Sequence, residues 1–301
     1  VNLDLLAFAE LRDSWLRQLR GQRKSEHTVI AYRDALNNFV AYCTKIGATD
    51  PVLSKTNVIG WMGAQRDVSA STVRLRLTVL KLFARWLADE EAFDADPITA
   101  VKPPKQDQKP VPDLSDDEIA RMVKACEGNQ IARKRDKAML LVLVETGLRA
   151  GELLALDIGD INLDECWLLV RRGKGGKSRR VRFSSGTAAA VDRYCRARRL
   201  AVRRPAEGPL WVSNQGNRLS HNGLVNTLKA RAEAAGVVGF HVHRTRHSMS
   251  VRWLRAGGSE AGLMAHAGWT DRGMIARYAK AASERLAMEE FDRLGLGLTE
   301  L

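Results

Sequence analysis

Between Pro97 and Pro112 the chain reads "PITAVKPPKQDQKPVP": five prolines among polar residues, with no hydrophobic period. Proline has no amide donor and a fixed φ, so neither a helix nor a sheet ladder runs through such a stretch. What folds before it and what folds after it must do so separately, and the segment reads as a linker between domains. With 301 residues, each side is long enough to bury a core of its own. The expected division is a first domain over 1–102, a linker over 103–113 and a second domain over 114–301.

The first hundred residues read as helices. "LDLLAFAELRDSWLRQLRG" closes on Gly21, and "SEHTVIAYRDALNNFVAYCTKIG" follows. In the second stretch Val29, Tyr32, Leu36, Phe39, Val40, Cys43 and Ile46 fall on one face before Gly47 stops it. "SKTNVIGWMGAQR" is a shorter, weaker helix because Gly60 and Gly63 lower its propensity. "SASTVRLRLTVLKLFARWLADEE" is the strongest, with Val73, Leu77, Leu80, Ala84 and Leu87 as its buried stripe. Arg74, Lys81 and Arg85 line a second face, either a solvated flank or a surface that tracks phosphates.

After the linker, "LSDDEIARMVKAC" opens a helix with a Ser115 cap and an acidic first turn. "RDKAMLLVLVETG" reads as a buried helix ended by Gly147, and "LRAGELLALDIGDI" starts another. "CWLLVRRGKGGKSRRVRF" is a hairpin, two apolar strands around a glycine-rich tip, and helices are expected from there to the end. The fold class is therefore mainly α with a small β-hairpin or sheet. No heptad, internal repeat or low-complexity tract interrupts it.

Charge narrows the partner. Lys and Arg number 48 against 35 Asp and Glu, a net +13, and the pI is about 9.9. Such a surplus favours a polyanion, and nucleic acid comes first. It is concentrated on the hairpin, where Arg171, Arg172, Lys174, Lys177, Arg179, Arg180 and Arg182 crowd twelve residues. A glycine-rich turn with long cationic arms suits a phosphate backbone or a groove, unless it is only a solvated basic loop. It is no P-loop, because the GxxxxGK[ST] spacing fails and a strand follows. No apolar run approaches the roughly 20 residues of a membrane span. The four cysteines, far apart and without a CxxC pair, fit a reduced cytoplasmic protein.

Chemistry gathers in "HVHRTRHSMSVRW", His241 to Trp253. A metal site there is disfavoured: Arg244 and Arg246 repel a divalent cation, and no Asp, Glu or Cys lies between Glu233 and Glu260. No metal and no cofactor is expected. His243 and Arg246 stand one helical turn apart, so imidazole and guanidinium converge on one point. A proton shuttle beside a neutralising cation is what phosphoryl transfer needs when no metal takes part.

Four stretches, in order, resemble the tyrosine recombinases, the phage integrase family with lambda-integrase-, Cre- and Xer-like members. "TGLRAGELLALDIGDI" is similar to the family's arginine box, "GKGGKSRRV" to its GKGxKxRxV hairpin, "HRTRH" to its HxxRH box, and "AGWTDRGMIARYAK" to its LGHxxxxxTxxYxH segment. Of the two possible HxxR registers, His241/Arg244 and His243/Arg246, only the second runs on as "RHSMSVRWLRAGG", like the family's RHTxAxxLLxxG. The N-terminal helices resemble the family's core-binding domain more weakly.

The resemblance implies a helical core-binding (SAM-like) domain and a catalytic domain forming a C-shaped clamp on DNA, with no arm-binding domain ahead of the first helix. It implies Tyr278 as nucleophile, Arg149 and Arg246 as phosphate clamps, Lys174 and His243 in proton transfer, and Glu152 and His247 in support. The family's second histidine is Trp269 here. Its indole N–H still donates a hydrogen bond but exchanges no proton at neutral pH. His266, one turn earlier, is either a substitute or a packing residue. The cations expected on DNA are Arg74, Lys81, Arg85, Arg171, Arg172, Lys177, Arg179 and Arg180.

The implied partner is double-stranded DNA with inverted-repeat core sites, bound by a homotetramer at synapsis, in the cytoplasm on the nucleoid and away from membranes. The implied reaction is strand cleavage and rejoining through a 3′-phosphotyrosine, as the integrase of a phage or mobile element. The alternatives are an Xer-type dimer resolvase, a non-cleaving DNA-binding protein and a type IB topoisomerase.

Overall fold

The computed structural model describes residues 3–48, 52–90, 98–105, 112–171, 178–200, 207–275, 287–288 and 290–295. The chain divides into two compact units, Val1–Lys109 and Pro110–Leu301. No helix among the described residues is long and apolar enough to cross a membrane.

The first unit holds α1 (Leu5–Gly21), α2 (Glu26–Lys45), α3 (Lys55–Gly63) and α4 (Ala70–Asp89). Asp4, Ser25, Ser54 and Ser69 cap them, each side-chain oxygen accepting a backbone N–H that the first turn cannot otherwise satisfy. The core is aromatic. Phe8 meets Phe83 edge-on with centroids 5.0 Å apart, and Phe39 meets Trp61 at 5.3 Å.

Details depart from the sequence pattern. The left-handed residue after α1 is Arg23 rather than Gly21, and Phe83 and Val79 join the stripe of α4. Ile46 is 48 % exposed because the chain turns away after α2 through left-handed Gly47. Gly60, which weakens α3, admits the Tyr42 side chain where a Cβ would collide with it. Ile98 and Val101 are buried in this same core.

The second unit begins with α5 (Asp116–Ala125), closed by a full capping box of Ser115 and Glu118. α6 (Ile131–Thr146) carries most of its charges in the first half, Arg133 to Lys137, and a largely apolar second half that lies at the centre, with Met139, Leu140, Leu143 and Val144 buried. α7 (Ala150–Ala155) leads to a three-stranded antiparallel sheet: β1 (Ile161–Asn162), β2 (Trp167–Val170) and β3 (Arg179–Arg182), in that order. The hairpin of β2 and β3 pairs Leu168 with Val181 and Val170 with Arg179. β1 is too short to show a period and adds an edge the sequence did not reveal.

α8 (Ser185–Arg199), α9 (His221–Ala234), α10 (His243–Arg255) and α11 (Glu260–Ala267) complete the unit. The run of helices is interrupted between α8 and α9 by the isolated bridges Asp157–Pro209 and Val212–Arg218. Tyr194 holds this stretch: its hydroxyl donates to the Leu210 carbonyl and accepts the Val212 N–H, both at 3.0 Å. Arginines fasten the same region to main-chain oxygens. Arg198 reaches the carbonyls of Glu207 and Pro209, Arg218 that of Leu154, and Arg135 that of Val212.

Candidate active site

α6 ends at Gly147, which is left-handed (φ 62°), a conformation that costs glycine nothing. A Cβ there would also collide with the Met249 side chain of α10. Two residues on, Arg149 occupies the N-cap of α7 in extended conformation, a place usually given to Ser, Thr, Asp or Asn. Its own backbone N–H donates to Glu152 Oε2 at 3.0 Å, and its Nη1 donates to Oε1 at 2.9 Å. The carboxylate is buried, whereas the Arg149 side chain keeps 34 % of its surface exposed. One buried acid thus holds an arginine that faces solvent.

Arg179, expected among the DNA-facing cations, turns inward instead. Its Nη1 and Nη2 donate to Glu152 Oε1 and Oε2 at 3.1 and 2.9 Å, and its Nε donates to the His266 carbonyl at 3.0 Å. The side chain is 12 % exposed. Strand alternation is the reason: Arg179 lies two residues from buried Val181 and shares its face, while Arg180 and Arg182 point out. That signal was present in the sequence, hidden by the charge of its neighbours. Burial pushes the Glu152 carboxyl up. The hydrogen bonds from Arg179 and from the Arg149 N–H, with both guanidinium charges, outweigh this and leave it below the ordinary carboxylate value.

α10 supplies the second group. Arg246 is 1 % exposed and donates from Nη1 to the Gly147 carbonyl and from Nη2 to the Ala267 carbonyl, both at 2.7 Å. It therefore joins the turn that carries Arg149 to the end of α11. His243, the first residue of α10, stays exposed. Its imidazole is shifted below its ordinary value, by lost hydration on its inner side and then by the charges of Arg246, His241 and Arg149. Arg149, Arg246 and His243 are thus close enough to feel one another. His247 is buried one position beyond Arg246.

The competing register has another use. Arg244 is 3 % exposed and donates to the carbonyls of Pro112, Asp113 and Val238, with Glu118 alongside. It fastens the start of the unit to α10. His241 is exposed.

Trp269 follows left-handed Gly268 and is 6 % exposed, packed with Met249, Leu263, Ala267 and Ile275. Its ring lies against the Arg246 guanidinium, 5.2 Å from centroid to Cζ. His266 faces Trp253 at 5.2 Å and is shifted down, first by burial and then by the Arg179 charge. Its ring packs on Trp253, and its Nε2 is buried.

Tyr278, Lys174, Arg172 and Lys177 lie outside the described residues. Of the other cations expected on DNA, Arg74 donates to the Pro104 carbonyl and Lys81 to the Thr99 carbonyl, while Arg85 is exposed. Arg171 pairs with buried Asp160, and Arg180 lies over the Trp167 ring at 4.5 Å.

Residues 112–285 match the model of the phage integrase family, and residues 13–91 match the phage integrase N-terminal SAM-like domain. This chain belongs to the phage integrase family. These are the tyrosine recombinases, enzymes of site-specific recombination that cleave and rejoin DNA through a tyrosine-linked intermediate. Among relatives, the tyrosine recombinase XerC of Neisseria gonorrhoeae is 30 % identical over 259 residues, 83 % of each chain. The tyrosine recombinase XerD of Oceanobacillus iheyensis is 29 % identical over 77 % of this chain and 80 % of its own.

Solved recombinases share the fold. XerH bound to a palindromic difH substrate matches with a TM-score of 0.74, at 18 % identity over 92 % of this chain and 84 % of its own. A lambda integrase dimer on a COC′ core site matches with 0.70, at 16 % identity over 91 % and 97 %.

Proposed function

We propose that this recombinase cleaves double-stranded DNA with Tyr278 as nucleophile, Arg149 and Arg246 as phosphate clamps, Lys174 as acid and His243 as proton acceptor. The observation that carries the reading is the reach of Arg246. One guanidinium binds the Gly147 turn ahead of Arg149 and the Ala267 carbonyl ahead of Trp269, so three sequence boxes converge on it. The Tyr278 oxygen attacks phosphorus and forms a 3′-phosphotyrosine as the bond to the 5′-oxygen breaks. Lys174 protonates that leaving oxygen, and His243, held neutral by its surroundings, takes the phenol proton. The guanidiniums neutralise the charge that builds on the non-bridging oxygens. The energy stays in the phosphotyrosine, so rejoining needs no ATP.

The net charge of +13 supports binding to duplex DNA, and the DNA-bound fold neighbours agree with it. We place one chain on each half of an inverted-repeat core site and a tetramer at synapsis, in the cytoplasm on the nucleoid. Exposed Met288, Phe291 and Leu294, spaced three apart, supply an apolar face near the C-terminus for a neighbouring copy. The helical unit before the linker is the core-binding domain. The biological role is integration of a mobile element. A second reading, an Xer-type resolvase of chromosome or plasmid dimers, is supported by the 30 % and 29 % identity to XerC and XerD recombinases.

The test uses a duplex site selected by the chain from a random-sequence library and nicked to trap the intermediate. Wild type should give a covalent adduct on a denaturing gel, and Tyr278→Phe should bind the site but give none. A persisting adduct moves the nucleophile elsewhere, to Tyr32, Tyr42 or Tyr194. Relaxation of supercoiled plasmid lacking paired sites would favour a topoisomerase instead.

A further inference from the structure

We propose that Arg179 is a positioning residue for DNA cleavage: it sets the direction of the Arg149 guanidinium by holding both oxygens of Glu152. This deepens the reading above and rests on Arg149 as a phosphate clamp.

The geometry runs through one carboxylate. Among the described residues, Glu152 is the acid that binds Arg149, through one side-chain bond and one backbone bond. A lone carboxylate held at one edge swings about its own bonds. A bidentate guanidinium prevents this, because the two parallel N–H···O contacts fix the carboxylate plane. The third nitrogen of Arg179 is spent on the His266 carbonyl, at the end of α11 where the helix dipole is negative. Left-handed Gly268 presses on the same group: a Cβ there would stand 2.8 Å from Arg179 Nη1.

Arg179 is thus fixed on β3, α7 and the end of α11 together. In the sequence Lys174 stands five residues before it, and Trp269 three residues beyond His266. Neither carboxylate oxygen can shift without moving the group that carries Arg149. A direct phosphate contact by Arg179 is disfavoured, since all three of its nitrogens already donate to Glu152 and the His266 carbonyl.

The experiment measures single-turnover cleavage by the full chain, at saturating protein, on the nicked library-selected duplex. The chains compared are wild type, Arg179→Lys, Arg179→Ala, Arg149→Ala and the double variant Arg149→Ala/Arg179→Ala. Arg179→Ala should cleave on the order of 10²-fold more slowly, the cost of a misplaced clamp. Arg179→Lys, which keeps the charge but not the fork, should lose less. The double variant should fall within about 2-fold of Arg149→Ala alone, because the two residues act as one.

Losses that multiply in the double variant would overturn the proposal. So would a salt dependence of DNA binding that falls by about one counterion in Arg179→Ala, the sign of a direct phosphate contact. If Arg179→Ala does not fold, Arg179→Lys decides, and wild-type cleavage by it overturns the proposal. Arg149→Ala cleaving at the wild-type rate would instead bring down the clamp reading beneath it.

Discussion

The two units bury different things. The core of the first is built from Phe8, Trp15, Phe39, Trp61 and Phe83 with aliphatic neighbours, and among the described residues it encloses no charged side chain. The second buries Arg135, Asp136, Glu152, Asp160, Arg198, Arg244, Arg246 and His247. A buried charge is costly unless it is paired or hydrogen-bonded, so it persists where something besides packing is needed. Here the pairs and staples fix turns, a hairpin and helix ends, the elements that present Arg149, His243 and Trp269. The first unit solves a packing problem, and the second a placement problem.

The contrast can be broken most sharply at Asp136, fully buried between Arg135 and Arg231. Asp136→Ala leaves two guanidiniums facing each other, and urea unfolding should show a loss of about 3–5 kcal/mol. Phe83→Ala should cost a similar ~3–5 kcal/mol in the first unit, through a cavity. Replacing Arg135, Asp136 and Arg231 together by apolar residues of like volume should recover most of the Asp136→Ala loss, whereas a stability equal to that of Asp136→Ala would show the charges to be stabilising in themselves.

Trp269 tests whether a buried ring near the site is packing or chemistry. Trp269→Phe keeps a face for Arg246 but no donor, and single-turnover cleavage should slow by roughly 2–4 kcal/mol in barrier. Trp269→His, with an N–H, should cleave faster than Phe, and Trp269→Ala slowest. Equal rates for Phe and Trp reduce the residue to packing.

His243 and Arg244 are adjacent and should separate cleanly. His243→Ala should slow cleavage on the order of 10²-fold with an unchanged melting temperature, because the imidazole is exposed. Arg244→Ala should lower the melting temperature while surviving protein still cleaves in the cold.

The smallest effect is a pH slope. His243, His241 and His266 all hold their protons less firmly in the fold than an ordinary imidazole at 6.5. Near and below that pH the unfolded chain binds more protons than the folded one, so stability falls as pH drops through 6.5 toward the lower folded values. His266→Gln should flatten the slope of melting temperature in this window. Glu152 acts lower down: its stabilisation is present above 4.5 and fades as pH falls through its depressed folded value.

How legible each unit was follows from what it buries. Period alone located α1 to α4, because apolar stripes and serine caps obey the same rules as isolated helices. Its misses were local: Phe83 fell outside the counted stripe, and Ile46 was taken inward although Gly47 had already turned the chain. In the second unit, the boxes around Arg149, Glu152, His243 and Arg246 were legible as motifs, and α10 does place His243 and Arg246 at one helix start. Arg179 was misread because charge was weighed without strand phase, though Val181 two residues on gave the phase. β1 and the bridges around Trp211 left no trace, since single pairings have no period. The role of Arg244 was not legible because its three hydrogen-bond acceptors are main-chain oxygens, which no motif spells.

Those main-chain oxygens bear on how such a chain drifts. Arg246 grips Gly147 and Ala267 by their carbonyls, Arg244 does the same at Pro112, Asp113 and Val238, and Arg198 at Glu207 and Pro209. A carbonyl is supplied by whatever residue stands at the position, so most side chains along these loops are free to be rewritten while the grip survives. Only the arginine and the backbone path must be inherited. A recombinase fastened in this way has room to exchange its surface, and with it the DNA it meets, without rebuilding the machinery that cuts.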